Sequence, residues 1–302
     1  MMSARIGRGF DAVVAVVLVI GWLVRCTVRD AWPLTAVIFF AMPWPVLAAL
    51  GGWLGWRVRR LRAIWLALAT VALGMWFYGS WKFGAPSTAR AELRVVQWNV
   101  ARPVGRLPAI AARLRALDAD VITVAEALPR NATDIVRWEA EFPGYRAEYS
   151  DGDLLCLARG EIQRRESGRL GPGSFYAEFD IVVKGRAISV LQVDVVATPW
   201  RSRREPIERI AQLVSERHDR PLIVAGDFNT PRDATECAPL RTHLTNAWEV
   251  AGHGCAETWP MPVPVLSLDH VWLGGGLRAV RCEHGVSAWS DHRPVIVDLA
   301  WP

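Results

Sequence analysis

Two long uncharged stretches in the N-terminal third restrict this chain more than any other feature. Trp32 to Trp56 contains no charged residue, and neither does Ala63 to Trp81. A helix needs about 20 apolar residues to cross a bilayer, so both stretches are long enough. A third apolar run, Ala12 to Val24, reaches that length only if Asp11 and Arg25 lie at the membrane interfaces. These segments exclude a chain that folds entirely as a water-soluble domain.

The first apolar run has one property of a signal peptide, because Arg5 and Arg8 precede it. No small-residue cleavage site follows it, so we predict an uncleaved anchor. The second stretch is interrupted by Pro33, Pro43 and Pro45. It is therefore expected to be kinked or re-entrant. Together the three segments predict a transmembrane region of about three helices in residues 1–82.

The arginines in the short loops predict an orientation, because Lys and Arg in such loops favour the cytoplasmic side. The strongest cluster, Arg57, Arg59, Arg60 and Arg62, lies between the second and third segments. Three spans then place everything after Trp81 outside the cytoplasm. Two Lys against thirty-three Arg, with abundant Ala, are typical of a GC-rich bacterial genome. We therefore expect a multi-pass inner-membrane protein whose remaining chain faces the periplasm.

The net charge of +5 is unevenly distributed along the chain. Residues 1–90 hold ten Lys or Arg and two Asp, which gives +8, so the remainder holds twenty-five against twenty-eight and carries −3. Nucleic-acid-binding domains usually present a basic surface, because phosphate neutralisation dominates their affinity. Nucleic acid therefore stays open as a partner but is not favoured.

One segment of the remaining chain combines a buried strand with polar side chains at its end. The apolar run Leu222-Ile223-Val224 is typical of a buried strand, and Gly226-Asp227-Phe228-Asn229 follows after one alanine. Side chains two residues apart leave a strand on the same side, so Asp227 and Asn229 can address one ligand. By itself, the pattern favours an ordinary Asx turn.

Four further segments repeat this arrangement of an Asn, Asp, Glu or His at the end of a β-rich apolar run. Their polar residues are Asn99, Glu126, Asp269 with His270, and Asp291 with His292. Taken in this order, the five motifs resemble the endonuclease/exonuclease/phosphatase superfamily, which has the deoxyribonuclease-I-like fold. The resemblance covers Leu93 to Leu299 and is strong, because five separated motifs keep their order.

The resemblance implies an α/β fold class. The expected architecture is a four-layer α/β sandwich, in which two mainly antiparallel or mixed β-sheets are flanked by helices. Residues 93–302 would form this catalytic domain, and residues 83–92, with Gly84, Pro86 and Ser87, are expected to be a linker.

The resemblance also implies a divalent cation and a set of catalytic side chains. Glu126 would hold the cation with Asn99 beside it, and Asp291 would complete the metal and hydrogen-bond shell. Hard oxygen ligands suit Mg²⁺ or Mn²⁺. His292 is the candidate general base or transition-state stabiliser, oriented by Asp269. The remaining two catalytic candidates, Asp227 and Asn229, would position the attacking water and the phosphate.

One position departs from the family pattern. Phe175 to Val183 and Ala187 to Val195 are β-rich runs joined by Lys184-Gly185-Arg186, a hairpin signal. The family has a His where the second run ends, and that His protonates the leaving group, whereas Asp194 stands here. A free Asp has a pKa of about 3.9 against about 6.5 for His. Asp194 therefore implies a raised pKa, an additional metal ligand or an impaired site.

Arginines near these motifs are candidate phosphate ligands. Arg102 follows Asn99, and Arg201, Arg203 and Arg204 form a basic loop. Near a cleft these side chains could hold a phosphate, and elsewhere they would be a solvated loop face.

Five cysteines are present, and an oxidising compartment would permit disulfides. Cys237 and Cys255 lie in loop-like sequence at either side of a short helical segment, and they are the predicted pair. The cysteine spacing does not match a zinc site.

These observations favour a membrane-anchored, divalent-metal-dependent phosphoesterase of the phosphodiesterase, nuclease or phosphatase type, acting outside the cytoplasm. The alternative is a catalytically impaired member of the family that binds a phosphorylated lipid or a partner at the envelope. A transporter is disfavoured, because the apolar segments lack ionisable residues away from their ends. Substrate choice lies in the loops of such a fold, so DNA, phospholipids and small phosphoesters all remain open. The membrane anchor and the acidic domain favour a lipid or a small envelope phosphoester.

Overall fold

The structure is a computed structural model that describes residues 2–84, 89–128, 132–217 and 220–302. Part of the predicted linker, residues 85–88, lies outside the described residues. The chain forms two compact units: Met1–Trp81 with Thr198–Ser202, and Lys82–Ala197 with Arg203–Pro302.

The first unit contains four helices: α1 (Met2–Cys26), α2 (Pro33–Ala41), α3 (Trp44–Arg57) and α4 (Arg62–Ser80). A 3-10 turn at Arg59–Leu61 precedes α4. Among the residues that the structure describes, two helical segments are long and apolar enough to cross a membrane, Gly9–Cys26 and Arg59–Ser80, or three if the bent pair α2–α3 is one span. The bend between α2 and α3 is 66°, as expected from Pro43 and Pro45 at the start of α3.

Two β-sheets dominate the second unit. The strands of the first sheet are β1 (Trp81–Lys82), β2 (Leu93–Asn99), β3 (Val121–Ala125), β4 (Arg146–Ser150), β5 (Leu154–Ala158), β11 (Gly252–Cys255), β13 (Arg278–His284) and β14 (Val295–Ala300), in the order β1-β11-β13-β14-β2-β3-β5-β4. The strands of the second are β6 (Gly160–Gly171), β7 (Ser174–Val183), β8 (Arg186–Asp194), β9 (Leu222–Asp227), β10 (Thr245–Asn246) and β12 (Asp269–Gly274), in the order β10-β12-β9-β8-β7-β6. Both sheets mix parallel with antiparallel pairs.

Helices cover the outer faces of both sheets. They are α5 (Leu107–Ala116), α6 (Ala132–Glu141) and α7 (Arg204–Ser215), with a 3-10 segment at Thr235–Thr242. The short helix α8 (Ala247–Ala251) instead packs Ala247 and Trp248 into the core between the sheets. Alternate residues of each strand point to opposite faces of the sheet. In the second sheet, Leu191 and Val224 pack against Ile210 of α7. Val190 and Ile223 face the first sheet. On the first sheet, Trp98 and Ile122 pack with Ile110 of α5 and Trp138 of α6. The predicted four-layer α/β sandwich is confirmed.

The predicted hairpin joins β7 to β8. Lys184 and Gly185 both have positive φ, 53° and 75°, which is the requirement of a two-residue type I′ turn. The antiparallel register pairs Val183 with Arg186 at the turn and Phe175 with Asp194 at the far end. The turn residues fix the register of the hairpin, and this register places Asp194 at one end of the sheet.

The predicted disulfide between Cys237 and Cys255 is wrong for this structure, because neither cysteine forms a disulfide. Cys237 is fully buried in the outer layer beside α7, and its Sγ contacts the Pro231 carbonyl. Cys255 ends β11 in the other sheet, where its Sγ donates to Glu257 Oε2 at 2.9 Å. A short separation along the chain does not bring the two residues together, because the strands between them belong to different sheets.

Two histidines with lowered pKa values, the buried His270 and the partly buried His284, predict acid sensitivity of the second unit. Burial lowers the pKa of His270 to about 4 and that of His284 to about 3. Between those values and about 6.5, the unfolded chain binds protons that the folded chain does not, so stability is lost as pH falls through this window. Each histidine contributes on the order of 1 kcal/mol per pH unit there.

We expect His284→Phe to make the loss of stability between pH 6.5 and pH 4 shallower than in the wild type. Phenylalanine keeps the stacking on Trp248, whose ring lies 4.8 Å away, but cannot be protonated. It also loses the hydrogen bond to the Cys255 carbonyl, so its stability at neutral pH should be lower. Urea unfolding followed by circular dichroism measures both effects, and an unchanged pH slope would contradict the assignment.

Candidate active site

Three carboxylates lie side by side at one end of the second sheet. The register pairs Asp194 of β8 with Asp227 of β9, and Asp227 with Asp269 of β12. Residues in register point to the same face, and in β9 this is the face of Ile223 and Ala225, toward the first sheet. The three acids therefore cap one end of the apolar core between the sheets.

The first sheet supplies an amide and a fourth carboxylate to the same place. Asn99 ends β2, and its Nδ2 donates to Asp227 Oδ2 at 2.9 Å and to Glu126 Oε1 at 3.1 Å. Asn99 Oδ1 accepts from the Ala101 N–H at 2.9 Å, which fixes the amide. Glu126 directly follows β3 with φ of 53°, an unusual conformation for a residue other than glycine. Asn99 thus links the carboxylates of the two sheets.

A histidine faces this group of acids. His292 is 6% exposed, and its Nδ1 donates to Asp269 Oδ2 at 2.8 Å. Its Nε2 lies 3.9 Å from Asp227 Oδ2. A carboxylate on one ring nitrogen fixes the tautomer and leaves the other nitrogen directed at the site. This is the orientation of His292 by Asp269 that the motifs imply.

Several neighbours hold the His292 loop and Asp269 in place. Ser290 Oγ donates to the Asn99 carbonyl at 2.7 Å and accepts from the His292 N–H at 3.0 Å. The indole of Trp98 donates to the His292 carbonyl at 2.9 Å. Thr258, fully buried, accepts at its Oγ1 from the backbone N–H of Asp269 at 3.2 Å. Thr258 is not predicted to be a site residue from the sequence, because it does not stand at the end of an apolar run.

The crowded charges shift the pKa values of the site. Burial, followed by the charge of Asp269, raises the pKa of Asp227 to about 7. Burial, followed by the charges of Asp227 and Glu126, raises the pKa of Asp194 well above its ordinary value. Burial alone would lower the pKa of His292, but Asp269 and Asp227 raise it to about 10. The imidazole is therefore protonated at neutral pH in this arrangement.

Asn229 and Asp291 lie at the edges of the cluster. Asn229 donates its side-chain amide to the Val195 carbonyl at 2.7 Å, and its backbone N–H to Asp227 Oδ1 at 2.8 Å. It therefore ties the end of β8 to the end of β9. Asp291 is exposed, and its Oδ2 accepts from the indole of Trp259 at 3.0 Å.

The four predicted phosphate-binding arginines are placed differently from one another. Arg102 lies in the site, with its Nε 3.3 Å from Glu126 Oε2 and the side chain 69% exposed. Arg203 is only 3% exposed and donates to the Ala197 carbonyl at 3.1 Å. Arg201 and Arg204 are exposed. Arg102 thus contacts another predicted site residue, Glu126.

The donor set fits a hard divalent cation. One ligand atom each from Asp227, Asp269 and His292 lies within 4.8 Å of the others. Asp269 Oδ1 is buried with no hydrogen-bond partner among the described residues, so one carboxylate oxygen is available for a ligand. The predicted metal residues Glu126, Asn99 and Asp291 are not this group, although Asn99 connects Glu126 to it. The carboxylates of this group are hard oxygen ligands of the kind that a divalent cation takes, whereas a protonated His292 can only donate hydrogen bonds.

Comparison with known proteins gives matches to proteins of related fold and sequence. Solved structures that resemble this chain include a functionally unknown conserved protein from Enterococcus faecalis V583 (TM-score 0.58, 14% identity, 70% of this chain and 100% of the other). A mannosyl-6-phosphatase from Bacteroides thetaiotaomicron matches with a TM-score of 0.55 and 18% identity, over 70% of this chain and 100% of the other. TDP2 from D. rerio, in complex with a single-strand DNA product, matches with a TM-score of 0.56 and 15% identity, over 69% and 99%.

Sequence similarity extends over a shorter part of the chain. Two UPF0294 proteins of Vibrio vulnificus, from strains CMCP6 and YJ016, are each 28% identical over 148 residues, which is 48% of this chain. The chain thus spans about half the length of these curated relatives, 51%. The model of the Endonuclease/Exonuclease/phosphatase family matches residues 96–292, a segment that contains all five motifs. The chain belongs to the endonuclease/exonuclease/phosphatase family.

Proposed function

We propose that this protein is a divalent-metal-dependent phosphoesterase. The observation that carries the proposal is the contact of His292 with Asp269 at 2.8 Å, with the second ring nitrogen directed at Asp227. A protonated imidazole in this position can donate a hydrogen bond to a phosphoryl oxygen, where negative charge develops during hydrolysis. Asp227, whose pKa is raised to about 7, can accept a proton from a water near neutral pH.

A bound Mg²⁺ or Mn²⁺ would offset the charge on the phosphoryl oxygens. We assign Glu126 as its carboxylate ligand, with Asn99 beside it and Asp291 in the surrounding shell. Glu126 is suited to this role because its ion pair with Arg102 is exposed to solvent and contributes little to stability. Arg102 is then available to contact a substrate phosphate. Arg201 and Arg203, just before α7, and Arg204, its first residue, are further candidate phosphate ligands.

Glu126→Gln is expected to weaken Mg²⁺ binding by at least about tenfold without unfolding the domain. Glutamine keeps the size of the side chain and an oxygen that can accept from Asn99, but it removes the negative charge. Calorimetric titration of the detergent-purified protein with MgCl₂ measures the affinity. Glu141→Gln is a matched control, because Glu141 pairs with Arg115 on the surface, away from the site. Unchanged Mg²⁺ affinity in Glu126→Gln would exclude Glu126 as a ligand.

The substrate class is best decided by a panel of phosphoesters. We favour a lipid head group or a small envelope phosphoester over DNA, because the domain carries no basic excess. The panel contains phosphomonoesters, phosphodiesters, a phospholipid and single-stranded DNA, each with MgCl₂ and with EDTA. Hydrolysis that EDTA abolishes supports the proposal. Binding of these compounds without hydrolysis would instead support an impaired family member that recognises a phosphorylated lipid or partner, the reading that Asp194 keeps open.

We further propose a location in the inner membrane of a bacterium, with the catalytic domain in the periplasm. This rests on the two or three apolar helices and on the arginines between α3 and α4, which favour the cytoplasmic side. A periplasm-dependent reporter such as alkaline phosphatase, fused after Pro302, is expected to be active. Activity from a cytoplasm-dependent reporter at the same place, with alkaline phosphatase silent, would reverse the orientation.

A further inference from the structure

The segment that joins β8 to α7 differs in charge from the chain around it. Residues 195–204 contain Arg201, Arg203 and Arg204 and no acidic residue. Residues 91–302 as a whole carry −3, so this segment is a local concentration of positive charge in an acidic part of the chain. Positive segments are attracted to anionic surfaces, and salt screens this attraction beyond about 10 Å.

An exposed tryptophan stands in the middle of the same segment. Trp200 is 73% exposed and belongs to none of the four apolar clusters of the described residues. Single exposed apolar side chains are ordinary on a protein surface, so exposure alone assigns no role to Trp200. Trp together with Arg is, however, a composition that proteins place at membrane–water interfaces, because an indole is apolar over most of its surface and keeps one hydrated N–H.

Thr198–Ser202 belongs to the compact unit of the N-terminal helices and not to that of the β-sheets. The chain leaves the β-sheet unit after Ala197 and returns to it at Arg203. The N-terminal unit holds the helices that are long and apolar enough to cross a membrane. A basic loop with an exposed tryptophan therefore shares one compact unit with the apolar helices.

Exposed aromatic rings mark one end of these helices. Tyr78 and Phe77, near the end of α4, are 89% and 54% exposed, and Trp32, between α1 and α2, is 59% exposed. In the proposed three-span topology these rings lie at the same, periplasmic end of the helices. Trp and Tyr at such ends anchor a protein at the level of the lipid head groups. The unit that contains Trp200 therefore carries interface residues of its own.

We infer that the Thr198–Ser202 loop binds the bilayer surface, with the Trp200 indole among the lipid head groups and with Arg201 and Arg204 on the phosphates of anionic lipids. This inference rests on the proposed inner-membrane location. Each arginine near an anionic leaflet strengthens such a contact by roughly fivefold. An extended chain of four residues reaches at most about 14 Å, so the contact keeps Asp194 within that distance of the head groups. Membrane phospholipids are then the favoured class among the candidate substrates.

A fluorescent label beside Trp200 tests the inference in the full-length protein, reconstituted in nanodiscs of phosphatidylcholine with or without phosphatidylglycerol. Cys26→Ser removes an exposed cysteine, and Ser202→Cys supplies the labelling site while Trp200 stays in place. We expect blue-shifted emission, and stronger quenching by a lipid nitroxide at the head group than by one at the end of the acyl chain. Val182→Cys is the matched control, because Val182 is 43% exposed at the other end of the β7–β8 hairpin from Asp194. Neither nitroxide should quench its label.

Variants of the loop separate the contribution of the indole from that of the charges. Trp200→Ser should lower the quenching of the label at Ser202→Cys, and Trp200→Phe should keep most of it. Arg201→Gln combined with Arg204→Gln should remove the additional quenching that phosphatidylglycerol produces. Trp289→Ser is the matched control and should change nothing, because Trp289 is 44% exposed but belongs to the β-sheet unit. The labelled protein without an introduced cysteine supplies the background.

Three outcomes overturn the inference: a label at Ser202→Cys that is quenched no more than the label at Val182→Cys, quenching that survives Trp200→Ser, or a phosphatidylglycerol effect that survives the double arginine variant. Each is separate from the failure of the proposed function, which is judged by hydrolysis and by the reporter fusions. Quenching at the loop without hydrolysis of any ester would leave the inference standing and refute the enzyme. Hydrolysis, or an active periplasmic reporter, with an unquenched loop label would refute the inference alone.

Discussion

His292→Ala is expected to lower kcat for the best phosphoester of the panel by about 10²–10⁴-fold, the typical contribution of a positioned acid–base group. The ring faces Asp227, at 3.9 Å between Nε2 and Oδ2, and alanine removes it. KM should change much less than kcat if the imidazolium acts mainly on the transition state. Initial rates with MgCl₂ at pH 7 measure both constants.

Two further variants separate the ring from its orientation and from general damage. Asp269→Asn keeps the size of the side chain but weakens the bond to Nδ1, so the loss in kcat should approach that of His292→Ala. Asp269 also sustains the raised pKa of His292, and the pH profile of Asp269→Asn should therefore shift to lower pH on its alkaline side. His253→Ala, at an exposed histidine, should have wild-type activity. A loss of less than about threefold in a folded His292→Ala protein would remove His292 from the mechanism.

Candidate site residues could be predicted from the sequence where an apolar, β-branched run ends in a polar residue. Gly226 to Asn229 follows a β-branched run, and Asp269 begins another, so the chain itself indicates strands with polar ends. Two such ends become neighbours because β9 and β12 pair in register at Asp227 and Asp269. That pairing depends on the fold, and only the resemblance to a family made it predictable.

Other parts of the fold have no local signal. Gly160 to Gly171 forms the long edge strand β6, although its exposed charged residues do not alternate with apolar ones. Antiparallel pairing with β7 makes this segment a strand. The pairing continues on both sides of a β-bulge between Arg164 and Glu166, where the register shifts. The cysteine prediction failed for the same reason, because distance along the chain does not report which sheet a residue joins.

Hydrogen-bond networks across the two sheets are also invisible in sequence. Asn99 was expected beside the metal, but its role as a donor to both Glu126 and Asp227 depends on how the sheets face each other. The same holds for Thr258 and Trp259, which lie in a loop rich in proline. Each forms a hydrogen bond with a residue more than ten positions away, Thr258 with Asp269 and Trp259 with Asp291. Long-range geometry, and not composition, assigns these residues to the site.

Asp194 is the position where the chain departs from its family, and the structure gives it an unusual environment. Burial and the charges of Asp227 and Glu126 raise its pKa well above the ordinary value for Asp. A higher pKa keeps more of the carboxyl protonated as pH rises, so Asp194 is a better acid here than a free Asp would be. The imidazole that the resemblance implies at this position has a free pKa of about 6.5, against about 3.9 for a free Asp.

We therefore expect the wild type to hydrolyse alkyl phosphoesters slowly. Activated aryl phosphoesters should be hydrolysed much faster, because their leaving groups need little protonation. Asp194→Asn should widen this gap by up to about 10²-fold, and Asp194→His should narrow it, because general acid catalysis contributes about 10²–10⁴-fold. The comparison uses kcat for an alkyl and a 4-nitrophenyl ester in the same protein preparation, so protein concentration and metal content cancel. If Asp194→His abolishes both activities while the fold persists, Asp194 is not a missing acid, and a role as an additional metal ligand accounts better for the carboxylate at this position.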